Sequence, residues 1–254
     1  MKCDFRLELL VFDAWCKLKA ELATSYFGWL WWIIEPVATI LAYYFVFGFL
    51  LRRGSGDYIY QLIIGVVLWG WFSATVTKSS QSIQRSAALI LQVKINKLFF
   101  PLSDVLQMFF RQVFVFAILF MLLPISGYFY NSWWWLPILV LEFALFTCVF
   151  SLWLAALIPF FPDAFGISNM FMRLWMFCSG VFYTVDMISE GHQALFLMNP
   201  LANLIEQFRD VLLVGKPPEI ISIVAIMSCC IIFLSLVIVF VRTYDQLYPR
   251  LVMR

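Results

Sequence analysis

The chain has 254 residues, 64% of them hydrophobic and 13% charged, with a mean hydropathy of +0.92. No soluble fold has enough polar surface to cover such a composition, so the chain reads as an all-α polytopic membrane protein. The formal charge of +2 comes without any basic run that could track a phosphate backbone, which argues against a nucleic-acid partner.

In chain order, the opening MKCDFRLELLVFDAWCKLKAEL interleaves acids with bases and has no apolar core ending in a small-residue cleavage site, so it does not read as a removable signal peptide. Within residues 5–28, Leu7, Leu10, Ala14, Trp15, Leu18 and Leu22 form one helical stripe, which predicts an amphipathic helix lying in the membrane interface. Crossing the hydrocarbon takes about 20 mainly apolar residues. Six segments qualify as transmembrane helices: 30–50, 60–77, 105–123, 134–158, 165–185 and 219–241. The second is the weakest, because Gln61 and the run from Ser73 to Ser82 dilute its ends. Between the second and third, residues 80–98 form a basic loop with a short apolar stretch; it suits a membrane-lying segment and a partner-docking one equally.

Residues 199–218 are too polar for a span. Asn199-Pro200 predicts a capped helix start, and Gly215 with Pro217-Pro218 a hard stop. Leu201, Leu204, Ile205, Phe208, Val211 and Leu212 recur at three and four, giving one apolar and one wet face. An interfacial or re-entrant helix is therefore expected between the last two spans.

An even number of spans puts both termini on one side. That side then carries Lys2, Arg6, Lys17, Lys19, Lys78, Arg85, Lys94, Lys97, Arg242, Arg250 and Arg254, against Arg52, Arg53, Arg209 and Lys216 on the other. The positive-inside rule makes it the cytoplasm. The six cysteines show no CxxC spacing, so neither a disulfide framework nor a zinc site is expected. His192 reads as a surface histidine, and no G-x-x-x-x-G-K-[ST], G-x-S-x-G or H-E-x-x-H motif occurs.

Four stretches carry a family likeness: YFGWLWWIIEP at 26–36, NKLFFPLSDVL at 96–106, FFPDAFG at 160–166, and SGVFYTVDMISEGHQALFLMNPLANLIEQFRDVLLVGKPP at 179–218. With these, essentially the whole chain resembles the permease subunits of bacterial ABC exporters that move polysaccharides of the O-antigen and capsule type. Leu102 departs from the pattern, since many relatives carry a basic residue there. The resemblance implies a homodimer in the bacterial inner membrane with the conduit between its copies, paired with two copies of a separate ABC ATPase subunit. ATP and Mg would sit on that partner, and this chain would bind no cofactor and no metal and would not be an enzyme. It further implies a coupling loop within 80–98, with Arg85, Leu89, Ile90 and Lys94 as candidates. An external gate region at 186–218 would feature Asn199, Pro200, Phe208 and Arg209, and the cargo would be a lipid-linked glycan.

Aromatic faces suit a sliding sugar chain, because sugar C–H faces are apolar. Trp32, Tyr43 and Phe47 share a sector of the first span, and Phe171, Trp175 and Phe182 a sector of the fifth, with Arg173 roughly opposite. These stripes are conduit candidates, with lipid-facing or packing aromatics as the alternative. Ionisable residues inside spans are costly and so are candidates as well. By helical rise, Glu35 and Arg111 lie at similar shallow depth and could pair, while Glu142 and Arg173 lie within about a turn of each other and could pair as a structural lock or as a polar patch. A capsule exporter, another cargo of the same superfamily, and a membrane enzyme acting on polyprenyl-linked sugars are the competing readings.

Overall fold

A computed structural model describes residues 7–23, 28–46, 57–93 and 95–251. The elements are α1 (Leu7–Ala23), α2 (Trp31–Tyr43), α3 (Tyr58–Ser80), α4 (Ser82–Arg85), α5 (Ala87–Gln92), α6 (Phe99–Ile125), α7 (Leu136–Leu157), α8 (Ala164–Cys178), α9 (Glu190–Leu197), α10 (Pro200–Arg209), α11 (Ile220–Thr243) and α12 (Tyr248–Leu251). Among the described residues there is no strand.

Five helical stretches are long and apolar enough to cross a membrane: Gly28–Val46, Tyr58–Ser80, Phe99–Ile125, Asn131–Leu157 and Ile220–Thr243. The second, diluted at its ends in sequence, is the most enclosed of the five. Its serines and threonines do not break it: Thr75 and Ser79 donate to the carbonyls of Trp71 and Thr75, so their hydroxyls are satisfied within the helix. The expected span at 165–185 is not one helix. α8 has fifteen residues, about 22 Å of rise against roughly 30 Å of hydrocarbon. Gly180 then turns the chain at φ +68, a conformation that glycine adopts without a steric penalty.

The chain beyond that turn forms a hairpin of α9 and α10 that enters the bundle. Its tip lies at the end of α8, where the Asn199 amide donates to the Cys178 carbonyl at 3.1 Å. The same side chain caps α10 by accepting from the Leu201 N–H at 3.1 Å, and Pro200 occupies the first turn, as the sequence predicts. α10 runs into a π-helical turn at Asp210–Val214, stopped by Gly215 at φ +79.

The apolar face of α10 packs as expected, but its polar face is not wet. Gln207 and Arg209 are buried too, because α10, unlike the exposed α9, is enclosed by the bundle. Arg209 donates to four acceptors: Gln61 O at 3.1–3.2 Å, Tyr183 O at 2.9 Å, Val181 O at 3.2 Å and the Glu206 carboxylate at 3.2 Å. It thereby satisfies carbonyls that the broken chain at 181–183 leaves without helical partners. Gly65 of α3 permits this approach, since a Cβ there would stand 2.6 Å from Val181 O and 2.9 Å from Arg209 Nη2.

α1 lies on α6 with Leu10, Ala14 and Leu18 buried, so its apolar stripe meets protein as well as any membrane. A layer of charges secures it. Lys17 pairs with Asp104 at 2.8 Å and Asp13 at 3.0 Å, and Lys78 of α3 pairs with Glu21 at 2.8 Å. Arg85 of α4 reaches Asp104 at 2.9 Å. Burial pushes the Glu21 carboxyl up, but Lys78, Arg111 and the Trp32 indole outweigh it and hold the group below its ordinary value. A second apolar cluster joins Ile83, Ile90, Leu98 and Phe100 to Val237, Val241 and Tyr248 at this end.

Two outcomes are expected. Gly65→Ala should destabilise the protein by about 1–3 kcal/mol through overpacking, read as a lower thermal midpoint of the detergent-solubilised chain; an unchanged midpoint would refute the close approach. A carboxylate with a depressed pKa contributes stability above its unfolded value and loses it as pH falls through the folded one. The Glu21 anchor should therefore hold from neutral pH down to about 4.3 and fail below it, seen as rising protease access to α1 that Glu21→Gln shows already at neutral pH.

Candidate functional site

Between α2, α3 and α6 lies a cavity of ≈ 250 Å³ that brings together four residues singled out in sequence: Trp32, Glu35, Tyr43 and Arg111. The depth arithmetic for the first charged pair holds, since Arg111 Nη2 stands 3.0 Å from Glu35 Oε2. Arg111 also faces Glu21 at 3.9 Å, so one guanidinium ties α6 to both α1 and α2. Pro36 lies inside α2 on this wall, where the helix gives up a backbone hydrogen bond.

Gln112 lines the same cavity. It is buried, and its Nε2 has no hydrogen-bond partner among the described residues. An amide next to Arg111, after which α6 is apolar to its end at Ile125, was the signal available in sequence. The cavity thus combines aromatic walls with an amide donor and the Arg111–Glu35 ion pair. Among the described residues, no three His, Cys, Asp or Glu side chains gather to hold a metal ion.

The two aromatic stripes meet. Tyr43 of α2 stands edge-on to Phe182 with ring centroids 4.6 Å apart. Phe182 is buried beyond the end of α8, whereas Phe171 is half exposed on it. Phe47 lies outside the described residues. Trp175 is wedged against Phe72 and Phe150 with centroids 5.5 and 5.4 Å away, and its indole N–H donates to Asn199 Oδ1 at 3.1 Å. It therefore positions α8 on the hairpin tip.

The second charged pair does not form. Trp175 sets the rotation of α8, and Arg173, two residues away and so about 200° around, is turned to the exposed side. Glu142 of α7 is fully buried, with neither oxygen partnered among the described residues. Matching depth does not make a pair when the azimuths diverge.

Of the expected gate residues, Asn199 and Pro200 form the hairpin tip, while Phe208 and Arg209 are core. Phe208 packs against Phe116 and Phe143 at centroid distances of 6.3 and 6.1 Å. In the coupling segment, Arg85 is exposed and bonded to Asp104, and Leu89 is exposed. Ile90 instead belongs to the second apolar cluster, and Lys94 lies outside the described residues. The one-turn helix covers only its Ile90 side, which leaves Leu89 and Leu91 as the apolar edge. Leu91 was not singled out in sequence, where nothing distinguishes it from Ile90.

The O-antigen export system permease protein RfbA of Klebsiella pneumoniae is 29% identical over 213 residues, covering 83% of this chain and 82% of that one. RfbA of Myxococcus xanthus is 26% identical over 225 residues, covering 86% and 85%. The polysialic acid transport protein KpsM of Escherichia coli is 21% identical over 224 residues, covering 86% of each. The family model described as ABC-2 type transporter matches residues 15–213. That match takes in most of the helical bundle, the cavity under α2 and the whole α9–α10 hairpin, and the chain belongs to the ABC-2 type transporter family.

Proposed function

We propose that this chain is the permease subunit of an ATP-driven exporter moving a lipid-linked polysaccharide, O-antigen before capsule, across the bacterial inner membrane. The observation that carries the reading is the alignment of permeases named for O-antigen export over 83% and 86% of the chain. The capsule reading rests on the weaker likeness to the polysialic acid transport protein.

In this reading α8 and the arginine-bound chain from 179 to 183 together make the sixth pass, which leaves both termini in the cytoplasm. The α9–α10 hairpin is then a re-entrant element opening to the outside, with Asn199 and Pro200 at its inner tip. Two copies of the chain form the conduit. The uncovered apolar faces of α2, at Ile34, Val37 and Leu41, and of α8, at Ile167, Phe171 and Leu174, support such a dimer. α1 lies at the cytoplasmic surface. Two ABC ATPase subunits bind below and supply ATP and Mg, with Arg85, Leu89 and Leu91 as this chain's contribution to the contact.

The decisive experiment is deletion of the chain followed by glycan profiling. Complete lipid-linked glycan should accumulate on the cytoplasmic face; truncated or absent glycan would move the assignment to a membrane enzyme. For the coupling contact, Leu89→Asp should leave the permease folded and inserted but lower co-purification of the ATPase about tenfold or more. Undiminished co-purification would remove α5 from the contact. Ile90→Asp is expected to fail by misfolding instead, since it places a charge in an apolar cluster.

A further inference from the structure

α8 and α11 both pack on α7, and between the three helices lies a cleft of ≈ 610 Å³. Phe146, Phe150 and Trp153 of α7, Trp175 of α8, and Cys229 and Phe233 of α11 wall it, with Met198 and Pro200 of the hairpin also on its wall. It opens outward, since Cys229 is exposed, Met198 is 79% exposed and Phe233 is 48% exposed. Among the described residues, no charged side chain lines it. Both indole N–H groups are already spent, Trp153 on the Phe233 carbonyl at 3.1 Å and Trp175 on Asn199 Oδ1 at 3.1 Å. That leaves only thiols, which are weak donors, and ordered water needs at least two polar partners. Left empty, the aromatic walls would forfeit their dispersion contacts. The occupant is therefore apolar.

Depth and width identify it. Ala225 and Phe233, the lining residues furthest apart on α11, lie about 8 and about 20 Å from the start of that span, inside roughly 30 Å of hydrocarbon. Over the roughly 12 Å between them, the volume gives a mean cross-section of about 50 Å². A helix with its side chains is at least about 10 Å across and needs about 80 Å². A protein helix, from a second copy or from elsewhere, is thus too wide for the cleft. A flexible hydrocarbon chain from the surrounding bilayer fits.

We propose that the cleft between α7, α8 and α11 binds an acyl chain of a membrane phospholipid. The chain packs on Trp175, the residue that seats α8 against Asn199, and so wedges α8, α11 and the hairpin tip together. This site rests on the membrane placement of α7 and α11 and not on the transport reading, and its test needs no ATPase.

The full chain is reconstituted in phosphatidylcholine nanodiscs and extracted into mild detergent, and retained lipid is counted by native mass spectrometry. The unsubstituted chain should keep phosphatidylcholine. Cys229→Trp should lower retention about tenfold or more, because the indole takes the room of the chain. Ile231→Trp, about 200° around the same helix at a position 55% exposed, should leave retention unchanged. The thermal midpoint of each variant confirms the fold. A second readout needs no variant: alkylation by N-ethylmaleimide, resolved by peptide mass spectrometry. Stripping the lipid in harsher detergent should speed modification of Cys229 and leave that of exposed Cys16 constant. No retained lipid, full retention by folded Cys229→Trp, or equal loss in both tryptophan variants would overturn the site. Cys229 that stays protected after stripping would overturn the lipid as its cover and point to a second copy of the chain.

Discussion

The arrangement of this bundle depends on one guanidinium. A chain that breaks its helix inside a protein core must find new donors for its carbonyls, because neither water nor a neighbouring strand is there to supply them. Arg209 does so for Val181 and Tyr183 and also reaches the Gln61 carbonyl of α3. Because its planar donors diverge, one side chain can serve three carbonyls from two segments while Glu206 balances its charge. The approach is possible only because Gly65 has no Cβ. With the break held there, α8 ends early, Phe182 is delivered to Tyr43, and the α9–α10 hairpin has a bay to occupy.

A different chemistry organises the α1 end. Asp104 receives both Lys17 and Arg85, and Glu21 receives Lys78 and the amide of Gln107. Exposed ion pairs contribute little singly, but here they share partners, and the carboxylate of Asp104 is nearly buried. α1, α3, α4 and α6 are consequently linked through two acids. Close by, Tyr248 donates to the Ala156 carbonyl and Lys97 pairs with Asp245 at 2.9 Å, fastening the C-terminal helix to the ends of α7 and α6. The cavity under α2 is tied to the same layer through Arg111, which faces both Glu21 and Glu35.

The membrane class, the positions of the five long apolar helices, the capped start of α10 and the Glu35–Arg111 pair were all legible in the chain. Each rests on something local: apolar length, a capping side chain, or a fixed rise per residue. The pairing of Glu142 with Arg173 used the same rise and failed, because depth is set along the helix but azimuth is set by neighbours, here the seat of Trp175 on Phe72, Phe150 and Asn199. The polar face of α10 misled for a related reason. Gln207 and Arg209 look solvated by periodicity, and only the carbonyls brought in from distant chain make their burial tolerable. Ile90 and Leu91 are indistinguishable in sequence, and the apolar cluster around Tyr248 separates them.

By itself the sequence determined that this protein lives in a membrane, that it is built of helices, and that a capped amphipathic helix precedes its last span. Composition and periodicity carry those statements because each segment must satisfy its own backbone in lipid. The tertiary structure alone decided where the fifth long segment breaks and which charges meet. It also decided which aromatics face a cavity and that Arg209 is a core residue. Those outcomes depend on groups far apart in the chain arriving at hydrogen-bonding distance, which no local pattern encodes.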